Sequence, residues 1–180
     1  MNGNCGVNNA NINRYREGSL YDSYAIAAAG ALASKVFFNN DNSGGINLCN
    51  LPQKGELGDG ESFIVRTVAF EFAGTANADI IQVRKHMSFS LEIAGIKVIR
   101  DQPVANFPYW AGDDANSLGA RGWNTVKMFD TPINIIGKQS IRGFLNLGTA
   151  PAGAIHALAA ISASGLFMRC HLFGEDHLNG

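Results

Sequence analysis

Residues 60–72, GESFIVRTVAFEF, constrain this chain more than any other stretch. Seven of the thirteen are β-branched or aromatic, the residue types that pack best on a pleated, half-buried surface. Side chains alternate between the two faces of a strand. Ile64, Val68, Phe70 and Phe72 therefore fall on one parity, and Phe63, Val65 and Ala69 on the other. Both parities carry bulk, so the segment reads as one long strand covered on both sides over part of its length. Arg66 interrupts the first parity, and its charge must face solvent or find a partner.

The rest of the chain is punctuated like a β protein. KVFFNN (35–40) reads as a short strand stopped by DNSGG, and INLCNLP as a strand ending at Pro52. QKGELGDGE is turn chemistry throughout. ADIIQVRK and MSFSLEI follow. In the second, Phe89, Leu91 and Ile93 alternate with Ser88, Ser90 and Glu92, the pattern of a half-buried strand. EIAGIKVI reads as a hairpin turning at Ala94 and Gly95. TPINIIGKQ and IRGFLNLGTAP give two more strands. A last strand, GLFMRCHLFGED, alternates Leu166, Met168, Cys170 and Leu172 with Phe167, Arg169, His171 and Phe173. Residues 19–34 fit a helical face through Leu20, Tyr24, Ala28, Ala31 and Leu32, with Asp22 as a cap. They fit a bent strand nearly as well, and the two readings stay open. Residues 1–18 are polar and rich in Asn and Gly, with no periodic apolar face, and read as a flexible arm.

The expected class is all-β: an antiparallel, eight-stranded jelly-roll sandwich or barrel. Other sandwiches and an up-and-down barrel are the alternatives. The expected division is residues 1–33 as an N-terminal arm with a short helix, and 34–180 as one domain.

Composition narrows the function classes. Charged residues are 16% of the chain, well below the usual quarter. The surface they leave is neutral and polar, a surface that suits packing against other subunits. A net charge of −1 provides no basic footprint for nucleic acid. Three cysteines, Cys5, Cys49 and Cys170, are odd in number and far apart, neither a zinc pattern nor a disulfide framework. The opening residues lack the apolar core of a signal peptide. AIAAAGALA (25–33) is too short for a membrane span, and 154–173 carries His156, Arg169 and His171. A soluble protein made in a cytoplasm is expected.

No constellation for catalysis emerges. Neither a phosphate loop nor a nucleophile elbow is present in the sequence. HLFGEDH gathers His171, Glu175, Asp176 and His177 beside Cys170, donors that suit zinc, iron or manganese. They lie in what reads as the last strand and its polar tail. VRKHM is a small basic run, a phosphate contact or, more simply, a solvated strand end. Asp113 and Asp114 lack calcium-loop spacing and read as a capped turn. The irregular region from 100 to 124 holds Phe107, Tyr109, Trp110 and Trp123. Loops with several large aromatics tend to be ordered and packed. These four are the candidate interface residues, and no metal, cofactor or catalytic residue is assigned. Trp110 and Trp123 with Asp113 and Asp114 could instead form a sugar platform, the basis of a rival carbohydrate- or receptor-binding reading.

Residues 35–72 also carry a resemblance. Phe37, Phe38, Asn39, Asn50, Leu51, Pro52, Gly60, Phe63, Val65 and Phe70 match a pattern in capsid proteins of tailless icosahedral bacteriophages. There, a strand with paired Phe and Asn runs into an Asn-Leu turn, and a Leu-Pro segment opens a long second strand. The match covers about a fifth of the chain. The resemblance implies a single jelly-roll shell subunit of a virion, made in a host cytoplasm and partnered by copies of itself in a capsomer. A second capsid protein is a further implied partner, as is an inner membrane or genome reached by the N-terminal arm. The chain departs from the double-barrel coat proteins in being one barrel long, so a capsomer would need more copies or two chain types.

Overall fold

The computed structural model describes residues 14–26, 33–41, 43, 48–73, 77–111, 129–147 and 165–178. These residues form nine strands and one α-helix: β1 (Arg14–Ile26), β2 (Lys35–Phe37), β3 (Glu61–Phe72), α1 (Asn77–His86), β4 (Met87–Ile93), β5 (Ile96–Pro103), β6 (Tyr109–Ala111), β7 (Ile133–Ile136), β8 (Ile141–Leu147) and β9 (Leu166–Leu178). The fold is an all-β sandwich of two sheets. One sheet runs β1-β9-β3, and β3 then pairs with β7 over Ser62–Val65 and with β6 over Phe70–Phe72. The other runs β2-β8-β4-β5. All of these pairings are antiparallel except β3 with β6.

The sandwich begins earlier than the sequence reading placed it. Residues 14–26, read as arm and then as helix or strand, form β1 and pair with β9 along all thirteen residues. The physical reason is parity. Leu20, Asp22 and Tyr24 sit opposite Leu172, Cys170 and Met168, so alternation, not a helical stripe, carries the apolar face. Residues 1–13 lie outside the described residues.

The long strand also corrects its own parity. The register of β3 against β9 shifts between Val65 and Thr67, so Arg66 is the extra residue of a β-bulge. Before the bulge the odd residues Phe63 and Val65 face the core; after it the even residues Val68, Phe70 and Phe72 do. A plain alternation groups Ile64 with Val68, and the bulge separates them. Arg66 meets Glu175 at 2.7 Å, so the interrupting charge is paired. The long strand is covered on both sides over part of its length: Thr67 and Ala69 are buried on the outer face and Val68 on the inner.

Asn77–His86 is helix, where VRKH had read as a strand end. Ile80 and Val83 bury one face and continue into Met87, a spacing of three and four that suits a helix. Asp79 in the first turn and Arg84, Lys85 and His86 in the last complement the helix dipole. The β4–β5 hairpin turns at Ala94 and Gly95, with φ of 50° and 79°. Positive φ at both positions defines the turn that matches strand twist.

The two ends of the sandwich differ. Register places Glu61, Ile93, Ile141 and Leu178 at one end, where backbone bonds lace the links together. Gly137 N donates to Glu61 O (2.8 Å), Ile141 N to Gly55 O (2.7 Å) and Ala94 N to Ser140 O (2.8 Å). Ile26, Phe72, Met87, Leu147 and Leu166 lie at the other end. The links 27–34, 73–86, 104–132 and 148–165 leave from there.

Candidate functional site

Of the four aromatic residues singled out in the sequence, two have described side chains, and both pack inward. Phe107 closes an edge-to-face triad with Phe70 (5.6 Å) and Phe89 (5.6 Å), themselves 5.3 Å apart. It anchors the loop end onto the core between the sheets. Tyr109 lies edge-on to Phe72 at 6.2 Å, and the Arg84 guanidinium sits 3.9 Å over its ring. Arg84 also donates to Ala105 O at 3.0 Å, which ties α1 to the turn before β6 by charge and ring face together. Trp110 pairs with Glu71 in the centre of β6. Trp123, Asp113 and Asp114 lie outside the described residues. The structure thus brings Phe107 and Tyr109 to one end, as supports of the loop.

The described metal candidates Cys170, His171, Glu175 and Asp176 do not converge, and the His177 side chain lies outside the described residues. Cys170 faces the core while His171 faces outward, as adjacent strand residues must. Glu175 is taken by Arg66, and Asp176 has the parity of Cys170. Among the described residues no group of three or more His, Cys, Asp or Glu side chains is placed to hold a metal ion. Burial pushes the Cys49 thiol up to about 11 and holds Cys170 well above the usual thiol range by the same cause, with Asp22 adding to both. Both thiols stay protonated and inert near neutral pH.

Sequence reading missed a polar network on the outer face of the β1-β9-β3 sheet. Glu71 Oε2 accepts from Arg169 Nη1 at 2.9 Å and lies 3.0 Å from His171 Nε2. Arg169 Nε reaches Ser23 Oγ at 3.2 Å, and its guanidinium covers the Tyr21 ring at 4.9 Å. His171 stacks on Phe173 at 5.0 Å. The three strands align these residues in rows: Ser23, Arg169 and Glu71 in one, Tyr21, His171 and Ala69 in the next. Burial lowers the His171 pKa from 6.5, Glu71 opposes that shift, and Arg169 adds to it. The ring is therefore neutral at pH 7 and donates from Nε2, because a carboxylate can only accept. The signal available in the sequence was the alternation Phe167, Arg169, His171, Phe173, which gave the face and not the partner.

In the helical reading of residues 19–34 Asp22 is a cap. Instead it is fully buried on the inner face of β1. Phe38 N donates to its Oδ2 (2.6 Å), and Ser23 N (2.7 Å) and Asn40 Nδ2 (3.3 Å) donate to its Oδ1. Asn50 adds a second clasp, accepting from Tyr21 N (2.7 Å) and donating to Ser19 O (2.6 Å). Together they seal the flank where β1 meets β2.

The opposite flank is open. A cleft of about 560 Å³ lies between β5 and β3, bounded by the segment that leads into β6 and by Phe129. There β3 has β7 beside it up to Val65 and β6 from Phe70, with Phe129 N bonded to Arg66 O between them (2.7 Å).

Comparison with known proteins returned nothing: no family model, no curated protein and no solved structure matches this chain.

Proposed function

We propose that this sandwich is a jelly roll, and that the chain is a capsid subunit that assembles through side-by-side contacts into the shell of an icosahedral particle. One observation carries the fold reading. With the three-residue β6 set aside, the eight remaining strands pair as nested antiparallel partners: β1 with β9, β2 with β8, β3 with β7 and β4 with β5. A long antiparallel ribbon wrapped on itself has that nesting. Its wrap brings β9 against β3 and β8 against β4, so the sheets read 1-9-3-7 and 2-8-4-5. Jelly rolls serve shells, lectins and cupins alike, so the fold does not choose among them. The resemblance of residues 35–72 favours the shell. Six of the ten residues that carry it, Phe37, Phe38, Leu51, Phe63, Val65 and Phe70, are core residues, so most of the pattern is core packing.

Subunit contacts in this reading use the end of the sandwich that carries Phe107, Tyr109 and Trp110. Light scattering behind size exclusion tests it on the full chain across salt and concentration. Assemblies that grow with concentration are expected, and Trp110→Ala weakens them. A 19.2 kDa monomer under every condition defeats the reading. An N-terminal arm, the implied contact to a membrane or genome, is tested by removing residues 1–13. Removal of 1–18 would also take five of the thirteen paired residues of β1 and confuse assembly with folding.

A further inference from the structure

We propose that the open cleft between β5 and β3 binds an acidic carbohydrate, a sugar carrying a carboxylate. Its volume of about 560 Å³ falls within the range of small-molecule sites. The lining divides into two chemistries. Phe107, Pro108, Phe129 and Val98 offer apolar surface, and Arg100, Gln102 and Asn106 offer hydrogen bonds. A purely apolar ligand would strip water from those three polar groups and return nothing. A sugar ring has C–H faces for the phenyl rings and hydroxyls for the amides. Asn106 Nδ2 stands 3.5 Å from Gln102 Oε1, and Gln102 Nε2 donates to Arg100 O at 3.3 Å; both contacts are long and exposed, so a ligand hydroxyl can replace them.

The carboxylate follows from charge. Arg100 forms no ion pair among the described residues, and the described lining holds no carboxylate. A guanidinium presents a planar fork that fits a carboxylate with two hydrogen bonds.

Strand geometry argues against an added peptide strand. The register of β5 against β4 shifts twice, between Phe89 and Leu91 and between Leu91 and Glu92. Asp101 has a φ of 40° and turns its carboxylate back onto Ser90 Oγ at 2.7 Å. Its own N–H bonds the same hydroxyl at 2.9 Å. Bulges of this kind break the even ladder that an incoming strand needs. On the other wall β3 is bulged at Arg66.

This inference goes beyond the assembly reading and does not depend on it. Isothermal titration with glucuronate-terminated and glucose-terminated oligosaccharides tests it on the full chain. Saturable binding of the acidic sugar alone is expected. Arg100→Gln should weaken it about ten- to a hundredfold, the loss of a charge-assisted bond. Lys97→Gln, on the same strand and outside the cleft, should leave affinity unchanged. Both side chains are exposed, so an unchanged thermal midpoint separates lost binding from lost folding. Equal binding of the neutral sugar, indifference to Arg100→Gln, or no saturable binding of either sugar in the millimolar range each overturns the proposal. Light scattering of the same samples reports assembly separately.

Discussion

Asp22→Asn changes one atom of one buried side chain, and its effect can be worked from the geometry. Both carboxylate oxygens of Asp22 accept: Oδ2 from Phe38 N, and Oδ1 from Ser23 N and Asn40 Nδ2. An amide keeps one oxygen and replaces the other with a donor. In the better of its two orientations the oxygen stays with Ser23 and Asn40. The NH₂ group then points at the Phe38 N–H, donor against donor. Phe38 is fully buried, so water cannot replace the lost acceptor. One buried N–H left unsatisfied costs about 1–3 kcal/mol. Removal of a charge buried without a cation among the described residues offsets part of that. A net loss of about 2 kcal/mol corresponds to a fall of roughly 4–8 °C in Tm for a chain of this size. Asp22→Ala strands all three donors and opens a small cavity, for a loss of about 3–4 kcal/mol. Thermal and urea unfolding followed by circular dichroism measure both. The predicted order is wild type, then Asn, then Ala. An Asn variant as stable as wild type would refute the reasoning, because the two-oxygen acceptor would then not be what holds β1 to the turn after β2.

The His171 pKa is lowered in the folded state by burial, so between the folded value and 6.5 the unfolded chain binds more protons than the folded one. Stability must then rise with pH across that window and fall on acidification below about 6.5. His171→Gln should flatten the dependence in unfolding curves taken from pH 7.5 to 5.5, and an unchanged slope would assign it to other groups. Gly174 sits beside the bulge, where an added Cβ would overlap the Ile64 carbonyl oxygen and crowd the Phe63 ring. Gly174→Ala should therefore cost about 3 kcal/mol or more, by overpacking against backbone that cannot move aside. Gly18→Ala, where nothing lies within 4 Å of the new methyl, should be near neutral in the same denaturation assay.

What could be read from the sequence was local, and what could not was relational. Leu166, Met168, Cys170 and Leu172 alternate cleanly, and all four are core. Ala94 and Gly95 announce a turn by composition alone. Arg66 shows why such reading stops. One inserted residue reverses inside and outside for half of β3, and nothing in FIVRTV marks the insertion. Its partners lie more than a hundred residues away, Glu175 paired with Arg66 and Gly174 close against the Ile64 carbonyl. The helix behind VRKHM, which reads as a strand end, is hidden for a related reason. Ten residues give too few turns for a period of 3.6 to stand out from a β-branched run. Asp22 was the hardest to read, because its three donors come from its own neighbour, from Phe38 and from Asn40, and only the fold brings the last two to it.

The two ends and two flanks of the sandwich divide the work between stability and function. At one end, short hydrogen bonds lace the links around Gly55, Glu61, Gly137 and Ser140, and on one flank Asp22 and Asn50 clasp β1. These features leave little backbone free to respond to a partner. The other end sends out four links, and the other flank opens into the cleft. A rigid frame with its loops gathered on one side is the arrangement that lets loops diverge without unfolding the core. The Phe70–Phe89–Phe107 triad stands at the boundary, rooted in both sheets and in the loop. It follows that loop substitutions beyond Tyr109 should alter assembly or ligand affinity while leaving Tm nearly fixed, whereas Phe107→Ala should lower Tm and disturb both.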